Sequence, residues 1–230
     1  MFTAKSPQWC SRPCLTAGGP FADIHCPMLE KLPDIIGHAL RDMRAGMDQI
    51  VFNNSGLRSG MGALQVSSLA FADHAPIPER YTADGEGVSP PMQWSGVPAN
   101  AASLVLIVED ADAPTPHPLV HAILVDLPPD DGSLPEGAID GDKDDAVHEG
   151  RNSYLMTGWL PPDPPPGHGR HRYAFQLFAL GAGEPFGGTP GRDDVVAAVR
   201  ERGIASGCLI GTYERPDGSI PAAGPRVVTA

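Results

Sequence analysis

The chain has 230 residues, among them 27 glycines and 26 prolines, and a formal net charge of −12. Such a charge repels phosphates, which argues against nucleic acid or an anionic membrane as the main partner. No apolar run approaches the ~18 residues that span a bilayer, so no transmembrane segment is predicted. Because glycine and proline are spread along the chain, the composition favours many short strands joined by turns.

Residues 1–27 show no periodicity and are predicted to form a poorly ordered arm. The arm lacks the apolar core of a secretory signal, so the expected compartment is the cytoplasm. Its cysteines, Cys10, Cys14 and Cys26, match no familiar zinc spacing. We therefore expect free thiols there, and the sequence predicts no cofactor.

Apolar residues recur at three- and four-residue steps over residues 29–50, which predicts an amphipathic helix of about five turns. Its apolar stripe must be covered by the main domain or by a second copy, so a homodimer stays open. A glycine- and serine-rich linker follows. The predicted organisation is an arm and helix over residues 1–58, a main domain over 59–216 and a tail over 217–230.

The main domain is predicted to consist of short strands. Two buried, β-branched runs at 104–108 and 120–125 flank a proline-rich loop. A strand at 173–180 alternates between two faces, with Tyr173 and Phe175 on one of them. Further strands are predicted at 64–71, 92–98 and 208–215, with a solvated acidic loop at 128–149. A short helix is predicted to begin with Thr189 as N-cap and to end at Gly203.

Polar residues follow or precede these strands: Asp110, Asp112, His121, His168, His171, Arg172 and Tyr173. The chain contains no Gly-x-Ser-x-Gly elbow, no His-Glu-x-x-His and no phosphate-binding loop ending in Gly-Lys-Ser/Thr. These absences favour a binding site over a hydrolytic centre of a familiar type.

Five motifs resemble the phosphatidylethanolamine-binding proteins, in their bacterial Raf-kinase-inhibitor-like branch. They are GEGVSPPMQWSGVP at 85–98, VEDADAP at 108–114, VH at 120–121, PPGHGRHRY at 165–173 and GTYER at 211–215. The resemblance covers about residues 60 to 215 and implies a mainly β fold, an antiparallel β-sandwich with a small anion-binding pocket at one end. It places Asp110, Asp112, His121 and His171 in that pocket, with Tyr173 and Pro165 at its rim.

Three positions depart from the family's pattern. Ala111 stands where the family usually has proline, Pro118 begins the run before the pocket histidine, and Asp163 adds a negative charge near the rim. Because an aspartate would repel an anion, we expect the carboxylates to orient the histidines rather than to contact the ligand. A nearby aspartate also raises the pKa of an imidazole, which predicts a partly cationic donor.

The sequence thus predicts a non-catalytic protein that binds a small anion, either a phosphorylated headgroup or phosphate or a carboxylate, and that could modulate a partner protein. Two alternatives stay open. The same two carboxylates and two imidazoles could hold a divalent metal in a hydrolase. An exposed loop could instead inhibit a protease or a kinase.

Overall fold

A computed structural model of the protein describes residues 34–54, 62–141 and 147–215. The predicted arm with its three cysteines, most of the linker and the whole of the predicted tail lie outside the described residues. In chain order, the described elements are α1 (Asp34–Ala39), α2 (Val51–Asn54), β1 (Gly62–Ala63), β2 (Gln65–Ser67), β3 (Ala75–Pro76), β4 (Met92–Ser95), β5 (Ser103–Asp110), β6 (Leu119–Leu127), β7 (Gly132–Leu134), β8 (His148–Glu149), β9 (His171–Leu180), α3 (Arg192–Arg202) and β10 (Gly203–Tyr213).

The strands form two sheets, which confirms the predicted mainly β fold. The larger sheet has the order β1-β10-β9-β5-β6-β8, with β3 also paired to β10, and the smaller sheet has the order β2-β4-β7. Each neighbouring pair among the four long strands β10, β9, β5 and β6 is antiparallel, whereas the short strands β1 and β3 run parallel to β10. Long buried strands therefore occupy the centre, and short strands lie at the edges.

Side chains of β9 alternate between two apolar clusters, as the sequence predicts. Tyr173 and Phe175 face the main core, which also includes Trp94 of the smaller sheet. Phe178 faces the opposite side of the sheet, where α3 contributes Val195. A long strand buried on both faces requires this continuous run of apolar residues.

The prediction of a five-turn helix over residues 29–50 is wrong for its described part. α1 ends at Ala39, and only a short 3-10 turn at Met47–Gln49 and the four residues of α2 follow. The backbone N–H groups of Ala45 and Gly46 donate to carbonyls of the loop after β5 rather than to carbonyls four residues back. Gly46 has a φ of 101°, which an α-helix cannot accommodate. Tertiary hydrogen bonds thus override the helical periodicity.

Other boundaries also differ from the prediction. Gly191, not Thr189, is the N-cap of α3, because its N–H donates to the Asp194 carboxylate at 2.8 Å. Within the predicted strand at 64–71 only β2 forms, and the last strand begins at Gly203, directly after α3. The predicted acidic loop contains the short strands β7 and β8.

A buried carboxylate attaches α2 to the larger sheet. Glu109 is fully buried and accepts hydrogen bonds from the Val51 N–H and from Gln176 Nε2, both at 2.8 Å. Arg192 at the start of α3 forms an ion pair with it at 2.6 Å. Gln176 Oε1 accepts from the Phe52 N–H at 2.7 Å. Polar side chains of β5 and β9 therefore hold residues 47–54 against the larger sheet.

We predict that Glu109→Ala lowers the free energy of unfolding by about 3 to 5 kcal/mol, because the Arg192 guanidinium and the Val51 N–H lose a buried partner. Chemical denaturation measures this loss, and amide hydrogen exchange should accelerate first at Val51. Glu201→Ala, which removes an exposed carboxylate of α3, is the matched control and should change stability by less than about 0.5 kcal/mol. Equal losses in the two variants would contradict the account.

Candidate functional site

A β-bulge directs His121 into the site. Along the β5–β6 pairing, Val108 pairs with Ala122 and Glu109 with Val120, so His121 has no partner of its own on β5. Val120 packs in the cluster beneath α3, whereas Ala122 belongs to the main core. The extra residue allows His121 to face the same side as Ala122, where its ring meets Tyr173. Bulges commonly redirect a side chain in this way.

His121 and Tyr173 form the centre of the site. Their ring centroids lie 5.1 Å apart, and the rings are nearly perpendicular at 81°. Trp159 lies beside His121 with ring centroids 6.1 Å apart and stacks on Phe175 behind it. β6 and β9 reach this point from opposite sides of β5, because β5 pairs with both strands.

Two polar atoms at this centre have no hydrogen-bond partner. His121 Nδ1 lies 2.5 Å from the Leu160 carbonyl, which can only accept, so Nδ1 carries the proton. In the neutral ring Nε2 is then an unprotonated acceptor, and neither it nor the Tyr173 hydroxyl has a partner among the described residues. Both side chains are buried. Buried polar atoms are nearly always satisfied, so this pair of neighbouring unsatisfied atoms defines the candidate site.

Burial shifts the pKa of both groups. It lowers the pKa of His121, although the Asp110 charge and the Leu160 carbonyl oppose this. The predicted rise of the imidazole pKa is therefore wrong for His121, because desolvation outweighs the carboxylate. Burial also raises the pKa of Tyr173 well above its usual value, with a further contribution from Asp110.

His171 has both ring nitrogens engaged. Nδ1 lies 2.7 Å from Asp110 Oδ2, and Nε2 lies 2.6 Å from Nδ1 of His168. His168 Nε2 donates in turn to the Leu40 carbonyl at 2.7 Å. The His171 ring stacks on Tyr173 with centroids 6.4 Å apart. His171 therefore borders the centre with its ring face and has no nitrogen left for a ligand.

Asp112 faces a different set of partners. Its carboxylate accepts from the Arg172 backbone N–H at 2.9 Å and from the Arg172 guanidinium at 2.7 and 2.6 Å. Arg44 forms a second ion pair with it at 3.0 Å. Burial opposes ionisation of Asp112, but these two arginines outweigh it and lower the pKa. Asp112 therefore joins the loop that follows β5 both to strand β9 and to the N-terminal segment, residues 34–54.

Pro165 begins the tight turn that carries His168. Its carbonyl accepts from the His168 N–H at 3.1 Å. Gly167 and Gly169, on either side of His168, have φ values of 76° and 91°, which L side chains rarely adopt. These two glycines let the chain turn so that His168 points back to His171.

Arg215 pairs with two carboxylates at the rim. Asp163 pairs with Arg215 at 2.6 Å, and Asp84 binds the same guanidinium through Nε and Nη2 at 2.7 to 3.0 Å. Asp84 also accepts from the Tyr213 hydroxyl at 2.5 Å. Burial together with this hydrogen bond raises the pKa of Tyr213 to about 12. Asp163 thus has a cationic partner within the chain, which it shares with Asp84.

The departure at Ala111 also has a structural role. Its N–H donates to the Arg172 carbonyl at 3.0 Å, a bond that proline could not make, and its carbonyl accepts from Gly46 at 2.7 Å. Pro118 is buried directly before β6. Ala111 therefore joins β9 and the N-terminal segment to the loop after β5.

Of the six predicted site residues, the structure brings Asp110, His121, His171 and Tyr173 together. Asp112 lies beside them but faces the two arginines, and Pro165 contributes through its backbone. The sequence named His168 among the polar groups at strand ends but did not place it in the pocket. Leu40, Arg44, Trp159 and Arg215 were not assigned to the site, and nothing in the sequence pointed to Leu40 or Arg44.

The predicted metal alternative requires several ligating side chains around one point. Over residues 34–54, 62–141 and 147–215, no group of three or more His, Cys, Asp or Glu residues is arranged to hold a metal ion. Two of the four proposed ligands, Asp112 and His171, are fully engaged with other side chains. Within the same ranges, no helix combines the length and the apolar composition needed to cross a membrane.

Comparison with known proteins identifies the family. The family model for phosphatidylethanolamine-binding proteins matches residues 67–214. A UPF0098 protein of Methanothermobacter thermautotrophicus is 38% identical over 153 residues, which are 66% of this chain and 99% of that protein. A UPF0098 protein of Aquifex aeolicus is 33% identical over 171 residues, which are 74% of this chain and 99% of that protein.

Solved structures agree with the sequence comparisons. A phosphatidylethanolamine-binding protein homolog from Chlamydia trachomatis superimposes with a TM-score of 0.60 at 36% identity, covering 66% of this chain and 98% of that one. E. coli YbcL, described as a member of the mammalian PEBP family, gives a TM-score of 0.61 at 27% identity with the same coverage. The matched region contains β3 to β10 and the residues of the site apart from Arg215 and those of the N-terminal segment. The chain belongs to the phosphatidylethanolamine-binding protein family, in its UPF0098 branch.

Proposed function

We propose that the protein binds a small anion, a phosphate-type group or a carboxylate, between His121 and Tyr173 without transforming it. The observation that carries this proposal is the pair of buried, unpartnered polar atoms, His121 Nε2 and the Tyr173 hydroxyl, on adjacent rings. A ligand that supplies partners for both atoms removes the cost of leaving them unsatisfied. An anion does this once His121 is protonated.

Binding of an anion is expected to bring a proton with it. Because the Leu160 carbonyl holds the proton on Nδ1, neutral His121 presents a lone pair to the ligand. A fully ionised anion has only lone pairs, so His121 must gain a second proton before it can donate. Burial lowers the pKa of His121, and the free site is therefore mainly neutral near pH 7.

A non-catalytic role is supported by the protonation of the second group. The raised pKa of Tyr173 keeps its phenol protonated, which makes it a hydrogen-bond donor and a poor nucleophile. His121 Nε2 and the Tyr173 hydroxyl form no hydrogen bond with each other, so His121 is not placed to take the phenol proton. The site thus offers two donors to one anion, which suits recognition.

We predict that the dissociation constant for sulfate rises about tenfold between pH 7 and pH 8, because only the protein with protonated His121 binds. Sulfate is the probe because it does not titrate in this range. Isothermal titration calorimetry or NMR titration gives the affinities. In His121→Gln the amide can donate at any pH, and the dependence should flatten. A wild-type affinity independent of pH would contradict proton-coupled binding at His121.

We predict opposite effects of Tyr173→Phe on binding and on stability. Sulfate binding should weaken by at least about tenfold, the loss of a hydrogen bond to a charged group. The free energy of unfolding should stay constant or rise by up to about 1 kcal/mol, since the variant removes an unsatisfied buried hydroxyl.

Tyr81→Phe is the matched control for this prediction. The Tyr81 hydroxyl donates to Glu136 at 2.8 Å, so its loss should cost about 1 kcal/mol of stability and leave sulfate binding unchanged. A Tyr173→Phe variant that is destabilised but binds sulfate normally would show that its hydroxyl has a partner in the protein and does not face the ligand.

A further inference from the structure

We propose that the N-terminal residues 37–46 are a positioning segment that holds one additional proton on the His168–His171–Asp110 group beside the anion site. This segment precedes the residues matched by the family model, 67–214, so the proposal concerns a part of the chain outside that match. The expected effect of this proton on anion affinity rests on the proposed function. The presence of the proton does not depend on that function.

Three short contacts in series determine how many protons the group binds. They join Leu40 to His168, His168 to His171 and His171 to Asp110, at 2.7, 2.6 and 2.7 Å. The Leu40 carbonyl can only accept, so His168 Nε2 must be protonated. Each of the other two contacts also needs one proton between its two atoms. Three protons are required, and two neutral imidazoles supply only two.

The additional proton belongs to His171. An imidazole is a much stronger base than a carboxylate, and Asp110 Oδ1 already accepts from the Asp112 N–H at 2.8 Å, which favours an ionised Asp110. Burial lowers the pKa of His168, and the charges of His171 and Arg44 lower it further. His168 is therefore neutral, and His171 is an imidazolium with an N–H toward each neighbour.

The segment is held in place by contacts that converge on the turn carrying His168. Arg44 donates to the carbonyls of Arg170 and His168 at 2.9 and 3.0 Å. Ala45 donates to the Ala113 carbonyl at 3.1 Å. Gly37 lies so close to the turn that a Cβ there would come within 1.9 Å of the Pro166 oxygen. The position of the Leu40 carbonyl is thus fixed from both sides.

The additional proton changes the charge that an anion meets. Without it, the group would carry the negative charge of Asp110, and with it the group is neutral. The His171 imidazolium then lies against the Tyr173 ring, whose hydroxyl we assign to the ligand. The other charged or titratable groups around it are His38 on α1, Arg44, Asp112 and Arg172, His121 on β6 and Asp163 of the proline-rich loop.

The test is ¹⁵N NMR of histidine-labelled full-length protein at about pH 7. We expect His171 with both nitrogens protonated and His168 protonated at Nε2 alone. A His171 with one N–H, or a His168 protonated at Nδ1 alone, would overturn the proposal. These ring signals require no ligand, so they stand even if wild-type protein fails to bind sulfate, a result that would remove only the proposed function.

Gly37→Ala tests the role of the segment, because the added Cβ forces it away from Pro166. We expect His168 to lose its fixed tautomer, His171 to lose its second proton in part of the molecules, and sulfate binding to weaken by about three- to tenfold, as a nearby charge is lost. Gly187→Ala is the matched control, because this exposed glycine lies outside the segment and an added Cβ there would meet no atom within 4 Å, so none of these signals should change. Unchanged ring signals in Gly37→Ala would refute the positioning role.

Discussion

The hydrogen bond between His171 and Asp110, 2.7 Å long and buried, joins the two halves of the site. Asp110 ends β5 and His171 begins β9, and the antiparallel pairing of these strands brings the two residues to the same end of the sheet. His171 then stacks on Tyr173, and Tyr173 meets His121 from β6. Each ring is positioned by its neighbour, so displacing this one contact would disturb all of them.

The N-terminal segment is structurally part of the site. Leu40 and Arg44 contact the turn that carries His168, and α2 is attached through Glu109 on the outer side of the same sheet. Arginines pair with the carboxylates near the site, so the local charge there is less negative than the net charge of the chain suggests. Asp112 has Arg172 and Arg44, and Asp163 has Arg215. The net charge therefore does not describe the pocket.

The long strands could be predicted because local apolar runs mark them. The site cluster could be predicted because local motifs contain its members, which are Asp110, His121, His171 and Tyr173. The N-terminal helix could not, since its periodicity was overridden by hydrogen bonds to residues about seventy positions away. The pKa of His121 was predicted in the wrong direction because the sequence shows the neighbouring carboxylate but not the depth of burial. Its unpartnered Nε2 depends on a bulge and on the Leu160 carbonyl, neither of which a motif encodes.

The central claim is that an anion lies between His121 and Tyr173. A crystal structure of the full chain grown in sulfate near pH 6 tests it most directly. The account predicts a sulfate within hydrogen-bond distance of both His121 Nε2 and the Tyr173 hydroxyl, with His171 still bound to Asp110 and His168. Sulfate bound only elsewhere, with ordered water satisfying these two atoms, would contradict it.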